Sequence, residues 1–423
     1  KSKEDIKARG KSYYEWAKWS NGYFGRTPDY KNASVMAFAA ATSFLEKGIK
    51  GQGGKAMAQN MLNYYNYARK NDKVLTHTLV NPTYNHQQGY KGKFSEKVAL
   101  QVVKETDAGI IVNGARLLAT LGPLADEIEV FPSTVLKATP DNIPFAFAFA
   151  IPVATNGLRL ICRDSYDLGK SNFDAPLSSR YEEMDAVIVF DNVLVPWERV
   201  FVKDDAIQAR EIYFKTPAHC YGNHQSNVRY WSKMELIVGL CYKVAKATGA
   251  DEVPAVRETL GKMSALESTL SGMIYGQIEN AENWPDNFKT FNRRTMYAAL
   301  NFCTDNYSMI IDELRTLCGG GVFQMPASIK VMNNKELLND FETYFQTPQM
   351  NALDRMKLFK LAWDVVGSEF AGRQLQYEKF YAGASFIIRN HNFRETPWNH
   401  FEDVVDKVMS KYDVPIKHDK AAE

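Results

Sequence analysis

Residues 145–154, FAFAFAIPVA, alternate large apolar residues with alanine, and they lie between two long stretches of helical periodicity. A period of two is typical of a β-strand. Two later segments, LRLICR at 158–163 and AVIVFDNVLVPWERVFV at 186–202, are rich in β-branched residues and bounded by turn residues. The middle of the chain, residues 107–202, is therefore predicted to be a compact β domain.

Helical patterns flank this domain on both sides. Residues 1–72 read as helical, and later in the chain apolar residues recur every three or four positions at 256–273 and 300–317. A glycine run at 319–321 ends the second of these helices, and a last long helix is predicted at about 353–380. We therefore predict an α+β multidomain chain whose C-terminal helices form an antiparallel bundle.

Composition excludes several function classes. The 423 residues carry 51 Lys and Arg against 49 Asp and Glu, and the net charge of +2 predicts neither a nucleic-acid nor a membrane partner. The longest apolar runs are too short to cross a bilayer. The five cysteines are scattered and odd in number, which argues against a disulfide framework and indicates a reducing cytoplasm. No signal peptide is visible at Lys1, and because the chain does not begin with Met we expect a segment upstream.

The sequence lacks the motifs of two common kinds of site, a nicotinamide-binding site and a zinc site. No G-x-G-x-x-G sequence opens a strand–turn–helix unit, so a nicotinamide-binding Rossmann domain is not expected. His219, Cys220 and His224 are close in sequence, but their spacing matches no usual zinc site. We expect these three residues in a polar loop and predict no metal site.

One short segment, GRTPDYKNA at 25–33, joins two predicted helices. Pro28 fixes its own φ angle and disfavours helical geometry at Thr27, so Arg26 and Tyr30 lie on either side of a rigid turn. Their guanidinium and phenol groups could point into one pocket. The alternative is a turn that starts a helix, with Arg26 in an ordinary salt bridge.

A second segment, THTLVNP at 76–82, places His77 among apolar residues just before a turn at Asn81 and Pro82. An isolated histidine in such a stretch is either a satisfied core residue or a member of a site. The residues alone leave both interpretations open.

Five long strings occur in a fixed order along the chain. They are GRTPDYK (25–31), THTLVNP (76–82), KETDAGIIVNGARLLAT (104–120), PLSSRYEEMDAVIVFDNVLVPWERVF (176–201) and AWDVVGSEFAGRQLQYE (362–378). Together they resemble the two-component flavin-dependent phenol hydroxylases, the family of the oxygenase component of 4-hydroxyphenylacetate 3-monooxygenase, from about residue 10 to residue 410.

The resemblance implies an acyl-CoA dehydrogenase-like fold. Its parts are an N-terminal helical domain at 1–106, a central β-barrel at 107–203, a C-terminal four-helix bundle at 204–395, and a C-terminal helix and tail at 396–423. Relatives assemble through the bundle, so a homotetramer or homodimer is expected.

The resemblance also implies the site. Arg26, Tyr30 and His77 would surround the hydroxyl of a phenol, with Ser133 on a loop that covers the substrate. The implied flavin contacts are His77, Thr83, Tyr84, Asn85, His86, Thr120, Ala382, Gly383, Ala384 and Ser385. Two places depart from the pattern: many relatives have Arg where this chain has His86, and Gly-Asp-Pro is frequent where this chain reads YAGAS.

The implied activity uses FAD as FADH₂, which a separate NAD(P)H:flavin reductase supplies, and O₂ as co-substrate. One oxygen atom is inserted through a C4a-hydroperoxyflavin, ortho to the hydroxyl of a 4-substituted phenol. The expected reaction converts 4-hydroxyphenylacetate to 3,4-dihydroxyphenylacetate. His77 would take the phenol proton, Arg26 would stabilise the phenolate, and Tyr30 would hydrogen-bond the oxygen.

Three alternatives stay open. The substrate could be another phenol, such as a chlorophenol or a tyrosine-like compound. The chain could also be a flavin-binding paralogue without activity. A lyase like 4-hydroxybutyryl-CoA dehydratase needs three Cys and one His around an iron–sulfur cluster, and the absence of any Cys before Cys162 argues against it.

Overall fold

The computed structural model describes residues 2–48, 54–82, 98–132, 136–167 and 169–412. Its N-terminal helices are α1 (Lys3–Ser20), α2 (Pro28–Ala40), α3 (Thr42–Glu46) and α4 (Gly54–Lys70). A capping box between Ser2 and Asp5 starts α1, and Asn21 ends it in the left-handed conformation. Pro28 is the first residue of α2, where its missing N–H costs nothing.

The central region contains two four-stranded sheets. Their strands are β1 (Leu75–Thr78), β2 (Gln101–Thr106), β3 (Gly109–Thr120), β4 (Glu127–Val130), β5 (Phe147–Pro152), β6 (Leu158–Cys162), β7 (Asp185–Pro196) and β8 (Val200–Lys203). The first sheet has the order β1-β4-β5-β8 and the second β2-β3-β7-β6. β1 pairs with β4 in parallel, and the other pairs within these two sheets are antiparallel.

The alternation in FAFAFAIPVA separates the two faces of β5. Phe147 and Phe149 lie in the core between the sheets, where the Phe149 ring meets Phe190 of β7 at 6.2 Å between centroids. Ala148 and Ala150 belong to the larger core shared with the helices. Small residues on this face let the helices approach the sheet closely, so the predicted strand is buried on both sides.

The expectation of a closed β-barrel is corrected. Within the described ranges, the edge strands of one sheet form no ladder with those of the other. Large apolar side chains from the facing sheets fill a common core, which is the packing of a sandwich. The order of a helical region, a central β region and a helical C-terminal region is as predicted, and the domain boundaries given above stay predictions.

The C-terminal region is helical. Its helices are α5 (Ala206–Lys215), α6 (Ala218–Ala247), α7 (Pro254–Glu279), α8 (Arg293–Cys318), α9 (Lys335–Tyr344), α10 (Ala352–Val366), α11 (Glu369–Phe380), α12 (Ser385–Glu395) and α13 (Trp398–Met409), with a hairpin of β9 (Glu282–Trp284) and β10 (Phe288–Thr290) between α7 and α8. The long helices α6, α7 and α8 pack against one another, and α1 and α2 pack on α6. This arrangement brings the N-terminal turn before α2 to the bundle.

The sequence prediction differs from the structure at two places in this region. The helix predicted at 353–380 is broken at Gly367, because Ser368 accepts a hydrogen bond from the Ala371 N–H and starts a new helix. His219, Cys220 and His224, expected in a polar loop, lie in α6. There His224 Nδ1 is 2.6 Å from Gln277 Oε1, so burial in a helix is compensated by a polar partner.

A buried ion cluster joins α6 to α11 beside the turn before α2. The two Nη atoms of Arg229 donate to the carboxylate of Glu378 at 2.7 Å each, and Lys233 Nζ donates to the same group at 2.5 Å. All five cysteines are free. Every helix in the described part of the chain is too short or too polar to span a lipid bilayer.

Candidate active site

The turn before α2 is fixed by a buried carboxylate. The backbone N–H groups of Gly25 and Arg26 both donate to Oε1 of Glu183 at 2.7 Å. A Cβ atom on Gly25 would lie 2.0 Å from the hydroxyl oxygen of Tyr377, so only glycine allows this close approach. The turn therefore holds the Arg26 backbone in one place.

The Arg26 guanidinium contacts two aromatic rings. Its Cζ atom is 4.3 Å from the ring centroid of Tyr30 and 4.2 Å from that of Tyr381, distances typical of cation–π contacts. Only 8% of the residue's surface is exposed. Arg26 Nη1 is buried and has no hydrogen-bond partner among the described residues. A ligand oxygen would satisfy it.

His77 lies in β1, opposite Glu129 of β4 in the parallel register. Its ring centroid is 5.7 Å from that of Tyr30, and its Nδ1 atom is buried without a partner in the described ranges. Burial, together with the positive charges of Lys31 and Arg26, holds the pKa of His77 well below its usual range. The imidazole is therefore neutral near pH 7, and its Nδ1 atom is free to hydrogen-bond a ligand.

Lys31 forms a buried ion pair with Glu129, the β4 residue opposite His77. Its Nζ atom is 2.6 Å from Oε2 of Glu129, and both side chains are almost fully enclosed. The rings of Phe38, Phe131 and Tyr213 surround the ammonium group. The Lys31 ammonium group is one of the two positive charges that lower the pKa of His77.

Arg26, Tyr30 and His77 line one cavity of about 290 Å³. A neighbouring cavity of about 730 Å³ has polar and aromatic walls, including Tyr166, Arg373, Gln376 and Tyr377. The two cavities share Arg26, Leu118, Thr120, Phe380 and Tyr381. Both volumes are close to or within the range of small-molecule sites, roughly 300–1,000 Å³.

Some of the residues that the resemblance implied as flavin contacts line the two cavities. Thr120 lines both cavities, and Ala382 and Gly383 line the smaller one. Ala384 and Ser385 are not among the lining residues; Ala384 precedes α12 and Ser385 begins it. Thr83, Tyr84, Asn85, His86 and Ser133 lie outside the described residues.

The sequence interpretation missed the contribution of α6 to the cavity. His219, Asn223 and, from α12, His391 also line it. Burial lowers the pKa of His219 to about 3, and its Nδ1 atom lies 2.6 Å from the Tyr297 hydroxyl. Asn223 is 4% exposed, and its Nδ2 finds no acceptor in the described part of the chain. The four-residue spacing of His219 and Asn223 on a helix was the available signal.

The polar atoms without partners fit a flavin and a small phenol. Arg26 Nη1, His77 Nδ1 and Asn223 Nδ2 offer donor and acceptor groups beside aromatic walls, which suits planar ligands with a few polar edges. In the ranges that the structure describes, no group of three or more His, Cys, Asp or Glu side chains is placed to hold a metal ion.

Comparison with known proteins gives a consistent result. The family model described as 4-hydroxyphenylacetate 3-hydroxylase N terminal matches residues 1–202, and the C terminal model of the same family matches residues 209–410. The chain is 37% identical over 390 residues to the 4-hydroxyphenylacetate 3-monooxygenase oxygenase component of Thermus thermophilus, covering 90% of this chain and 77% of the relative. It is 36% identical over 380 residues to the protein of that name from Geobacillus sp., covering 90% of this chain and 76% of the relative.

Solved structures agree. A crystal structure of the oxygenase component of 4-hydroxyphenylacetate 3-monooxygenase, complexed with FAD and 4-hydroxyphenylacetate, superposes with a TM-score of 0.91. The sequence identity is 34%, and the match covers 97% of this chain and 83% of that one. The predicted fold class is thereby confirmed, apart from the closed barrel. The chain belongs to the 4-hydroxyphenylacetate 3-hydroxylase family.

Proposed function

We propose that this chain is the oxygenase component of a two-component flavin-dependent monooxygenase. It hydroxylates a 4-substituted phenol ortho to its hydroxyl, with 4-hydroxyphenylacetate as substrate and 3,4-dihydroxyphenylacetate as product. The observation that carries the proposal is the meeting of Arg26, Tyr30 and His77 on one cavity. The names of the relatives and the ligands of the solved relative support the substrate and the cofactor.

The chain's own residues would manage the phenol proton. A free phenol has a pKa of about 10, so at neutral pH the ring is mostly protonated and less reactive. His77 would accept the proton at its free Nδ1 atom. The phenolate that forms beside it would offset the burial and the positive charges that lower its pKa, and a positioned base typically contributes ~10²–10⁴-fold in rate. Arg26 Nη1 would bind the resulting phenolate oxygen, and Tyr30 would hold that oxygen by a hydrogen bond.

The cofactor in this proposal is FAD, which in its reduced form activates O₂ and supplies the electrophilic oxygen. Thr120 would bind it as an acceptor, because its hydroxyl hydrogen already goes to Asp185 Oδ1 at 2.7 Å. Ala382 and Gly383 would contact it from the loop after α11. Contacts from Thr83, Tyr84, Asn85 and His86 stay predictions, as does a substrate contact from Ser133.

The surrounding apolar side chains would exclude water. Leu79, Phe214 and Ile387 lie on the wall of the smaller cavity together with the proposed substrate residues. A dry cavity strengthens the attraction between the Arg26 guanidinium and a bound phenolate. It also keeps the activated oxygen from being lost to water.

The proposed partners follow from the name that the relatives carry. An oxygenase component works with a separate NAD(P)H:flavin reductase, which would supply FADH₂ in the cytoplasm. We also propose a homotetramer or homodimer. The exposed apolar residues of α13, Trp398, Val405 and Val408, support such an assembly, because a helix of 12 residues is only marginally stable in water when its apolar side packs against nothing.

The function is tested by supplying FADH₂ from a flavin reductase and offering 4-hydroxyphenylacetate, 4-chlorophenol and tyrosine in parallel. The proposal predicts catechol product from 4-hydroxyphenylacetate in near-equal amount to the O₂ consumed, with peroxide alone when no phenol is present. Catechol from 4-chlorophenol or tyrosine only would reassign the substrate. Peroxide alone with every phenol would contradict the proposed activity.

A further inference from the structure

Three acidic residues stand almost side by side in the segment YEEMD at 181–185. Their carboxylates take different partners. Glu182 accepts two hydrogen bonds from the guanidinium of Arg163, whereas Glu183 and Asp185 are directed to the cavity residues.

Glu183 binds the turn that carries Arg26. It is 1% exposed, and its Oε1 atom accepts both the Gly25 and the Arg26 backbone N–H at 2.7 Å. Its Oε2 atom accepts a hydrogen bond from Nη1 of Arg373 at 2.8 Å. Both carboxylate oxygens are therefore used, and one of them holds the residue proposed to bind the phenolate.

Asp185 binds the residue proposed to contact the flavin. Its Oδ1 atom accepts the Thr120 hydroxyl at 2.7 Å and Nη2 of Arg373 at 2.9 Å. Its Oδ2 atom accepts Nε of the same arginine at 3.0 Å and Nε of Arg163 at 2.9 Å. One guanidinium, from α11, thus joins the two carboxylates.

We propose that Glu183, Arg373 and Asp185 form a positioning network that keeps Arg26 and Thr120 in a fixed relation. The network would align the phenol with the flavin through Arg26 and Thr120. Charge-assisted hydrogen bonds in a buried setting are short, directional and stronger than neutral ones, so each partner has one preferred place. The inference rests on the proposed function, because it assigns the two ends of the network to substrate and cofactor.

Amide substitutions test it with little change of volume. In Glu183→Gln, one end of the side chain becomes an NH₂ group. Whichever way that group points, one of the two sets of hydrogen bonds is lost, and the Gly25 and Arg26 N–H groups no longer bind a charged carboxylate. Asp185→Asn creates the same conflict between Arg373, Arg163 and Thr120. Glu182→Gln is the matched control, since it loses an equally charged contact in the same segment, binds neither Arg26 nor Thr120, and meets Asp185 only through Arg163.

Two affinities are measured on each purified variant: FAD by quenching of its fluorescence, and 4-hydroxyphenylacetate by calorimetry on the FAD-loaded protein. Glu183→Gln should weaken phenol affinity about tenfold and leave FAD affinity within about twofold, as expected for one lost charged hydrogen bond. Asp185→Asn should weaken FAD affinity about tenfold and leave phenol affinity within about twofold. Glu182→Gln should change neither affinity by more than about twofold.

If these residues were merely structural, all three variants would have a lower melting temperature, and no variant would lose affinity for one ligand alone. That result would overturn the inference. Unchanged phenol affinity in Glu183→Gln would also overturn it. If a glutamine or asparagine variant does not fold, Arg373→Lys replaces it and should weaken both affinities. A wild-type protein that binds 4-hydroxyphenylacetate but forms no catechol would contradict the proposed function and leave the network testable by binding.

Discussion

The guanidinium carbon of Arg26 lies 4.2 Å from the ring centroid of Tyr381, although the two residues come from opposite ends of the chain. The Tyr381 hydroxyl is 3.3 Å from Oε1 of Gln225 on α6, which helps to fix the ring. The cation thus contacts two rings, those of Tyr30 and Tyr381, whose centroids are 5.8 Å apart. The edge of the guanidinium is left for a ligand.

The ring of Tyr381 contacts the Arg26 guanidinium. Removing the ring should therefore weaken phenol binding more than removing the hydroxyl. We expect Tyr381→Leu to weaken 4-hydroxyphenylacetate binding about tenfold, near the value of a desolvated cation–π contact of ~1–2 kcal/mol. Tyr381→Phe should lose less than about threefold. Calorimetric titration of both variants checks this, and equal losses in the two would contradict the cation–π role.

The ion pair of Lys31 and Glu129 should stabilise the protein only as a pair. Lys31→Met leaves a buried carboxylate without its cation, and we expect the free energy of unfolding to fall by about 3–5 kcal/mol. Lys31→Met combined with Glu129→Leu removes both charges and should regain most of that loss. Urea denaturation of the single and double variants measures the difference; a double variant no more stable than the single one would show that the pair is not the cause.

Buried neutral histidines should make stability depend on pH. Burial lowers the pKa of His224 to about 3, against an unfolded value of 6.5. The unfolded chain therefore binds an extra proton between these values, so stability rises with pH in this window and is lost as the pH falls below 6.5. Between pH 7 and pH 5 this one group should cost about 2 kcal/mol.

His224→Gln isolates that contribution. The variant is expected to be less stable at every pH, because it loses the stacked contact with Phe291 at 3.5 Å. Its unfolding free energy should nevertheless fall less steeply than that of the wild type between pH 7 and pH 5. Parallel slopes for the two proteins would mean that His224 is not the proton-linked group.

The cysteines give a simple check of the packing. Cys162 is exposed and the other four are buried, with no disulfide. We expect a thiol reagent to label one cysteine rapidly in the native protein and all five in denaturant. Rapid native labelling of more than one would show that the C-terminal helices are packed more loosely than described.

Much of the fold was predictable because the side-chain period changes along the chain. The alternation at 145–154 predicted the strand Phe147–Pro152, and it also separated the two faces that the structure uses. The break at Gly367 was not predicted, since the apolar pattern runs through it and only the cap at Ser368 marks the new helix. Closure of a sheet into a barrel depends on pairing between distant edge strands, which a local period does not report.

The site residues that stand in sequence motifs were predictable. Those whose role depends on contacts between distant parts of the chain were not. Arg26, Tyr30 and His77 stand in recognisable strings, and the structure brings them to one cavity. Glu183 lies in a string of the same resemblance, yet its role depends on hydrogen bonds to Gly25 and Arg26 that only the folded chain shows. Asn223 was not predicted, because the sequence favours a polar loop around His219 where the structure has α6.

The central claim is that His77 takes the phenol proton, and the most direct test is the yield of catechol per O₂ consumed in His77→Ala, with His400→Ala, an exposed histidine of α13, as the control. The account predicts that the His77 variant still binds FAD, that its catechol yield falls at least about tenfold, and that peroxide accounts for the missing oxygen. The control should match the wild type. A His77→Ala protein that hydroxylates 4-hydroxyphenylacetate with unchanged yield and rate would contradict the claim.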